Sequence, residues 1–244
     1  MKISVCISMY NEVPVIRETA LRLHSALEAD FGRLPDGSPD FEIIFADDGS
    51  TDGCADIVRG LSLPGVRVIS YTPNRGKGYA VRTAMLSSLG DVSLFTDADL
   101  AYGTDIIKVF YSKFTEDPSI GLCIGSRNLS KDGYKEYTLV RRIASKVYLR
   151  LLSAVGGLKV TDSQCGCKAY SRSAADYIFK RCEVDRFAFD YETLLWARKA
   201  SFPIAEIPVK VLVHGQSKVS LIRDTFRMLR DLRKMKKRIR KSDI

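Results

Sequence analysis

The chain has 244 residues, 45% of them hydrophobic, which fits one α/β domain or two small ones with a substantial buried core. Its six scattered cysteines form no C-x-x-C pair and there are only two histidines, so composition speaks against a zinc site and against a disulfide framework. The net charge of +9 sits mostly in residues 219–244, where ten Lys or Arg face three Asp, and the body is close to neutral.

In chain order, Ile3–Ser8 reads as a first strand, too short and polar for a signal peptide or a membrane span; a protein kept in the reducing cytosol is the expectation. Pro14–Asp30 carries Val15, Ile16, Ala20, Leu23 and Leu27 at helical spacing. A Gly- and Pro-bearing loop leads to a strand over Glu42–Ala46, and Asp52 is placed to cap a helix through Leu61. Val66–Tyr71 is a third strand, Gly76–Leu89 a helix, Val92–Thr96 a fourth strand and Thr104–Thr115 a helix. This alternation implies βαβ units and a mostly parallel, doubly wound sheet. Beyond a strand at Ile120–Ser126 the pattern predicts helices at Tyr137–Val155, Ser171–Arg181 and Tyr191–Ala200 and a strand at Ile204–Val213. No internal repeat or linker is visible, so the expected division is one domain over 1–218 and a basic helix over 219–244.

The chemistry-bearing residues follow the strands. Asp97 and Asp99 close the fourth one, and ligands of open α/β sheets bind at strand carboxyl ends. Two hard oxygen donors there suit Mg²⁺ or Mn²⁺, although D-x-D alone reads equally as a turn or a cap. Tyr10-Asn11-Glu12 follows strand one, Asp47-Asp48-Gly49-Ser50-Thr51-Asp52-Gly53 strand two, and Asn74-Arg75-Gly76-Lys77-Gly78 strand three. Acidic and amide side chains at such an edge can accept hydrogen bonds from a base and from ribose hydroxyls, and the basic, glycine-punctuated turn opening a helix suits an anion.

Taken in order, these four motifs resemble the nucleotide-sugar domain of family 2 glycosyltransferases of GT-A fold. The resemblance continues through Gly125-Ser126-Arg127, Asp162-Ser163-Gln164-Cys165-Gly166-Cys167-Lys168, Phe189-Asp190-Tyr191-Glu192 and Gly215-Gln216-Ser217-Lys218. Within that family the later motifs look most like the polyprenyl-phosphate enzymes, in particular the dolichyl-phosphate glucosyltransferase type. Cys167 departs from the usual Phe, and Ala101 stands where mannosyl relatives often carry Gln.

The resemblance implies metal-dependent, inverting transfer of a hexose, glucose from UDP-glucose being the expected donor, onto a polyprenyl phosphate. Asp99 and Asp97 would hold Mg²⁺ or Mn²⁺ against the donor diphosphate. Tyr10, Glu12 and Asp48 would hold base and ribose, Lys77 would face phosphate, and Gln164 and Lys168 would line the sugar pocket. Arg127, whose guanidinium matches phosphate bidentately, and Lys218 would receive the acceptor phosphate, with a structural ion pair as the alternative for either. Asp190 and Glu192 invite the role of general base or of groups that orient the acceptor; because a lipid phosphate is already an oxyanion, its attack needs positioning more than proton removal. Their spacing also fits capping of a helix start.

In the tail, Ile222, Phe226, Leu229, Leu232, Met235 and Ile239 form one apolar stripe edged by cations. Such a helix suits the headgroup layer of an anionic membrane, so a peripheral protein on a cytoplasmic membrane face is expected; docking on its own domain or in a homo-oligomer is the alternative. No aromatic platform accompanies the charge, so nucleic acid is not an expected partner. The competing functions are a family 2 enzyme acting on a saccharide hydroxyl, and a non-catalytic nucleotide- or nucleic-acid-binding protein.

Overall fold

A computed structural model describes residues 2–130, 157–212, 232 and 234–242. Its first half alternates strand and helix: β1 (Ile3–Met9), α1 (Val13–Phe31), β2 (Phe41–Asp47), α2 (Cys54–Gly60), β3 (Val66–Ser70), α3 (Lys77–Ser87), β4 (Val92–Asp97), α4 (Asp105–Glu116) and β5 (Leu122–Ser126). Then follow β6 (Lys168–Ser171), α5 (Arg172–Phe179), α6 (Phe189–Lys199) and β7 (Ile204–Pro208). Every residue of β2 is buried, as expected of a strand covered on both faces, and its neighbours β1 and β4 are nearly so. Helix α1 begins with Pro14 in its first turn, where no N–H is needed, and turns Ile16, Ala20, Leu23 and Leu27 inward. Asp52 Oδ1 accepts a hydrogen bond from the Cys54 N–H at the start of α2.

The seven strands lie in the order β3-β2-β1-β4-β6-β5-β7. β3, β2, β1 and β4 pair in parallel, β5 pairs in parallel with β7, and β6 is antiparallel to both β4 and β5. The expected mostly parallel, helix-flanked sheet is present. Strand β6 is an addition, since that stretch carried no strand expectation; its register sets Lys168 opposite Phe95, two residues before Asp97.

Alternate side chains of each strand feed two apolar layers. Val5, Ile7, Ile43 and Phe45 meet α1, α2 and α4 on one face, while Cys6, Ile44, Phe95 and Leu122 meet α3, α5 and α6 on the other. The second layer also takes in Leu232, Met235 and Ile239, all buried; residues 234–241 are helical. The stripe expected to face lipid is therefore, in this part of the tail, packed on the protein's own core: three apolar side chains find drier surroundings in that layer than at a headgroup layer. The helix predicted at Tyr137–Val155 and the tail from Val219 to Asp231 lie outside the described residues.

Candidate active site

Because β2, β1 and β4 run side by side, their carboxyl ends present one edge, with Ser8 in register with both Ala46 and Asp97. The loops leaving β1 and β2 are laced together. The Asn11 N–H donates to Ser50 Oγ at 3.0 Å, the Thr51 N–H to Asn11 Oδ1 at 2.9 Å and the Val13 N–H to Asp52 Oδ2 at 3.0 Å. Asp47 Oδ1 accepts from the Ser50 N–H at 2.9 Å and so supports the strand end. Tyr10 stands exposed at the rim and Glu12 is half-buried beside it.

Asp48 is engaged within the protein. It is buried, and its carboxylate accepts hydrogen bonds from Asn74 Nδ2 and the Arg75 N–H, both at 2.7 Å, and from the Gly76 N–H at 2.8 Å. The basic turn does hold an anion, and the anion is this carboxylate. With both oxygens engaged, Asp48 shapes the turn that presents Lys77.

Lys77, the first residue of α3, donates from Nζ to Asp97 Oδ1. Burial alone would lower its pKa, but Asp97, Asp190 and Asp99 outweigh burial and hold the ammonium above its usual range. Asp97 is packed from the far side by the backbone at Gly166, where a Cβ would collide with Oδ2. Asp99, half-buried, accepts from the Ala101 N–H at 3.0 Å; burial and the Asp97 charge push its carboxyl up, Lys77 and that N–H notwithstanding, and Glu12 adds to the rise. Asp190, on the first turn of α6, receives Lys168 Nζ, and its carboxyl too is raised by burial despite Lys168 and Lys77. Six groups thus act on one another: carboxylates Glu12, Asp97, Asp99 and Asp190 against ammonium groups Lys77 and Lys168, a formal −2 when all are ionised.

Three other expectations are redirected by packing. Lys168 is fully buried, donates also to the Cys165 carbonyl at 2.7 Å, and fixes Asp190 without reaching a pocket surface. Arg127 forks onto the buried Asp162, with Nε to Oδ2 at 2.7 Å and Nη2 to Oδ1 at 2.9 Å, the bidentate structural pair that was the alternative reading. Glu192 is 0% exposed, accepts from the N–H groups of Glu183 and Val184, and pairs with Arg238, so it faces away from any acceptor. Gln164 is half-buried and its Nε2 has no partner among the described residues. Lys218 lies outside the described residues. Cys165 is buried, as are the other five cysteines, and its thiol is pushed up by burial, which suits a packed side chain and not a nucleophile.

Sequence reasoning gave no role to Asp162, Gly166 or Tyr102, whose hydroxyl accepts from the Gly166 N–H at 3.3 Å. Asp162 stood in a quoted motif, but only the fold reveals that its partner is 35 residues upstream.

The family model for glycosyl transferase family 2 matches residues 4–179, which takes in the loops that follow β1, β2, β3 and β4. The chain belongs to glycosyl transferase family 2. Among family members it is 32% identical to the dolichyl-phosphate beta-glucosyltransferase of Drosophila melanogaster, over 95% of this chain and 73% of that protein. It is 31% identical to the dolichyl-phosphate beta-glucosyltransferase of Trichomonas vaginalis, over 87% of this chain and 64% of that protein. The chain therefore spans about two thirds to three quarters of the length of these curated relatives. Its fold matches, with a TM-score of 0.68 at 19% identity, the crystal structure of glucosyl-3-phosphoglycerate synthase from Mycobacterium tuberculosis in complex with Mn²⁺, UDP and phosphoglyceric acid, covering 100% of this chain and 80% of that one.

The family 2 site has a donor set that fits a divalent cation. Among the described residues no three His, Cys, Asp or Glu side chains converge to form a complete cage. Mg²⁺ and its like are held by one or two carboxylates, with substrate phosphates and water completing the shell, and the excess of two negative charges is what such an ion neutralises.

Proposed function

We propose that the protein transfers glucose from UDP-glucose, with inversion, onto dolichyl phosphate or a related polyprenyl phosphate. The observation that carries this reading is the charge cluster at the end of β4, in which Asp97 and Asp99 are available to a metal–diphosphate while Lys77 stands against them. The dolichyl-phosphate beta-glucosyltransferases among its relatives support the acceptor and the sugar, and the fold neighbour bound to Mn²⁺ and UDP supports the donor nucleotide.

Asp97 and Asp99 would hold Mg²⁺ or Mn²⁺; when bound there, the ion supplies Lewis-acid stabilisation of charge on the departing diphosphate. Lys77, already protonated, has the donor β-phosphate as its natural second partner once Asp97 turns to the metal. Tyr10 and Glu12, at the rim beside the laced loops, meet base and ribose. Gln164 Nε2, without a partner among the described residues, has a sugar hydroxyl as its matching acceptor. Asp190, locked onto the buried Lys168, is oriented rather than poised to remove a proton, which favours an acceptor that arrives as an oxyanion over a saccharide hydroxyl. Lys218 remains the proposed contact for that acceptor phosphate, while Arg127 is held by Asp162.

Among the described residues no helix is long and apolar enough to cross a membrane. The exposed Lys236, Lys237, Arg240 and Lys241 join Arg198 and Lys199 in a cationic face, so the proposed membrane contact is electrostatic and peripheral on a cytoplasmic leaflet. The test is incubation with radiolabelled UDP-glucose, Mn²⁺ and a polyprenyl phosphate, followed by solvent extraction, with sedimentation on anionic liposomes at rising salt as a second arm. A labelled lipid that vanishes in folded Asp99→Ala supports the function. No labelled lipid with any acceptor length would overturn it, and salt-insensitive or absent sedimentation would overturn the membrane contact.

A further inference from the structure

Residues 183–186 stand between the C-terminal helix and the start of α3, which Lys77 opens. On one side the fully buried Glu192 accepts from the Glu183 N–H at 3.1 Å and the Val184 N–H at 2.9 Å, and Arg238 pairs with both Glu192 and Glu183. On the other side the carbonyls of Val184, Asp185 and Arg186 press on two glycines. A Cβ on Gly76 would lie 2.6 Å from Asp185 O, and one on Gly78 would lie 2.8 Å from Arg186 O and closer still to Val184 O. The Tyr79 N–H donates to Asp185 O at 3.1 Å, and Arg82 pairs with the Asp185 carboxylate at 2.9 Å. Lys77 lies between the two glycines.

We propose that Arg238 is a positioning residue for the donor site: by neutralising Glu192 it seats the 183–186 turn against Gly76 and Gly78, and the seated turn fixes Lys77 over Asp97. The inference rests on the reading of this edge as a nucleotide-sugar site. A buried carboxylate stripped of its cation must draw in water or take up a proton, and either change loosens its grip on the Glu183 and Val184 N–H groups. The turn then loses its seat on α3. A displacement of about 1 Å in a group that holds a diphosphate is enough to weaken binding many-fold. The tail thus reaches the chemistry through packing, at a distance from it.

The experiment compares wild type, Arg238→Met, Arg238→Met/Glu192→Gln and Gly78→Ala by circular dichroism, by calorimetric titration with UDP in the presence of Mn²⁺, and by KM and kcat for UDP-glucose. Arg238→Met is expected to lose UDP affinity roughly tenfold or more at a temperature where it is folded, and the double variant, with no buried charge to compensate, to recover most of it. Gly78→Ala, which pushes the turn from the opposite side and leaves Arg238 and Glu192 intact, should show the same loss. A merely structural arginine would lower the melting temperature and leave the UDP affinity of the folded protein alone. UDP affinity within about twofold of wild type in folded Arg238→Met would overturn the proposal. Should that variant not fold, unchanged affinity in Gly78→Ala would do so. Wild type that binds no UDP with Mn²⁺ would instead overturn the donor-site reading, and this proposal with it.

Discussion

Gly166 has no side chain because Asp97 occupies the space one would need. The carboxylate is thereby held between that backbone and the Lys77 ammonium. Gly166→Ala should push Asp97 off its position while leaving the core intact, since the atom that must move is the tip of a half-exposed side chain. The expected result is Mn²⁺ affinity reduced about tenfold, read by electron paramagnetic resonance of free Mn²⁺, with a melting temperature close to that of wild type. At this scale the sequence was informative for some residues and silent for others. Asp97 and Asp99 stood out because they come fourth in an ordered series of strand-end motifs, the pair alone reading also as a turn or a cap. Gly166 did not, because its constraint comes from a residue 69 positions earlier, nor did the engagement of Asp48, because its partners at Asn74–Gly76 are brought to it only by the β2–β3 pairing.

Strands β1 to β5 could be read from runs of apolar and β-branched residues, each followed by helical periodicity. Strand β6 could not: it is four residues long, opens on a lysine and pairs antiparallel with strands far away in the chain. It forms because the wall between β4 and β5 buries Ala169 and Tyr170, and because Lys168 finds Asp190. Beside it, β5 is followed by Arg127, tied to Asp162 in the loop that leads to β6. Burial alone would raise Asp162, but the guanidinium outweighs burial and holds its carboxyl below the usual range. A carboxylate depressed in the folded state contributes stability above its unfolded pKa and loses it as pH falls through the lower folded value. Wild type and Asp162→Asn should accordingly differ most at neutral pH, by about 3–5 kcal/mol for the arginine left without its anion. The gap should close only in acid below the ordinary carboxylate range. Urea titrations of both proteins at a series of pH values measure it, and a gap that widens in acid would contradict the assignment.

The whole molecule is a sheet with two apolar layers, and the tail belongs to one of them. Its periodicity was legible as an amphipathic helix; which surface would cover the stripe was not, because hydrophobic spacing is the same for a lipid face and a protein face. Burial of Leu232, Met235 and Ile239 in the layer that α3, α5 and α6 cover decides it for the described residues. Three such side chains contribute about 1.5–3 kcal/mol each, roughly 5–9 kcal/mol together. That is comparable to the entire stability of an ordinary domain, about 5–15 kcal/mol. Realistic unfolded chains already bury part of this surface, which trims the figure by some 10–40% without changing the comparison. Loss of Arg238 would add the cost of a buried, unpaired Glu192. A chain ending at residue 231 is therefore expected to lose its cooperative thermal transition, or to melt far below the full chain, in differential scanning calorimetry. A shift of only a few degrees would mean that the stripe is dispensable to the core and available to another surface.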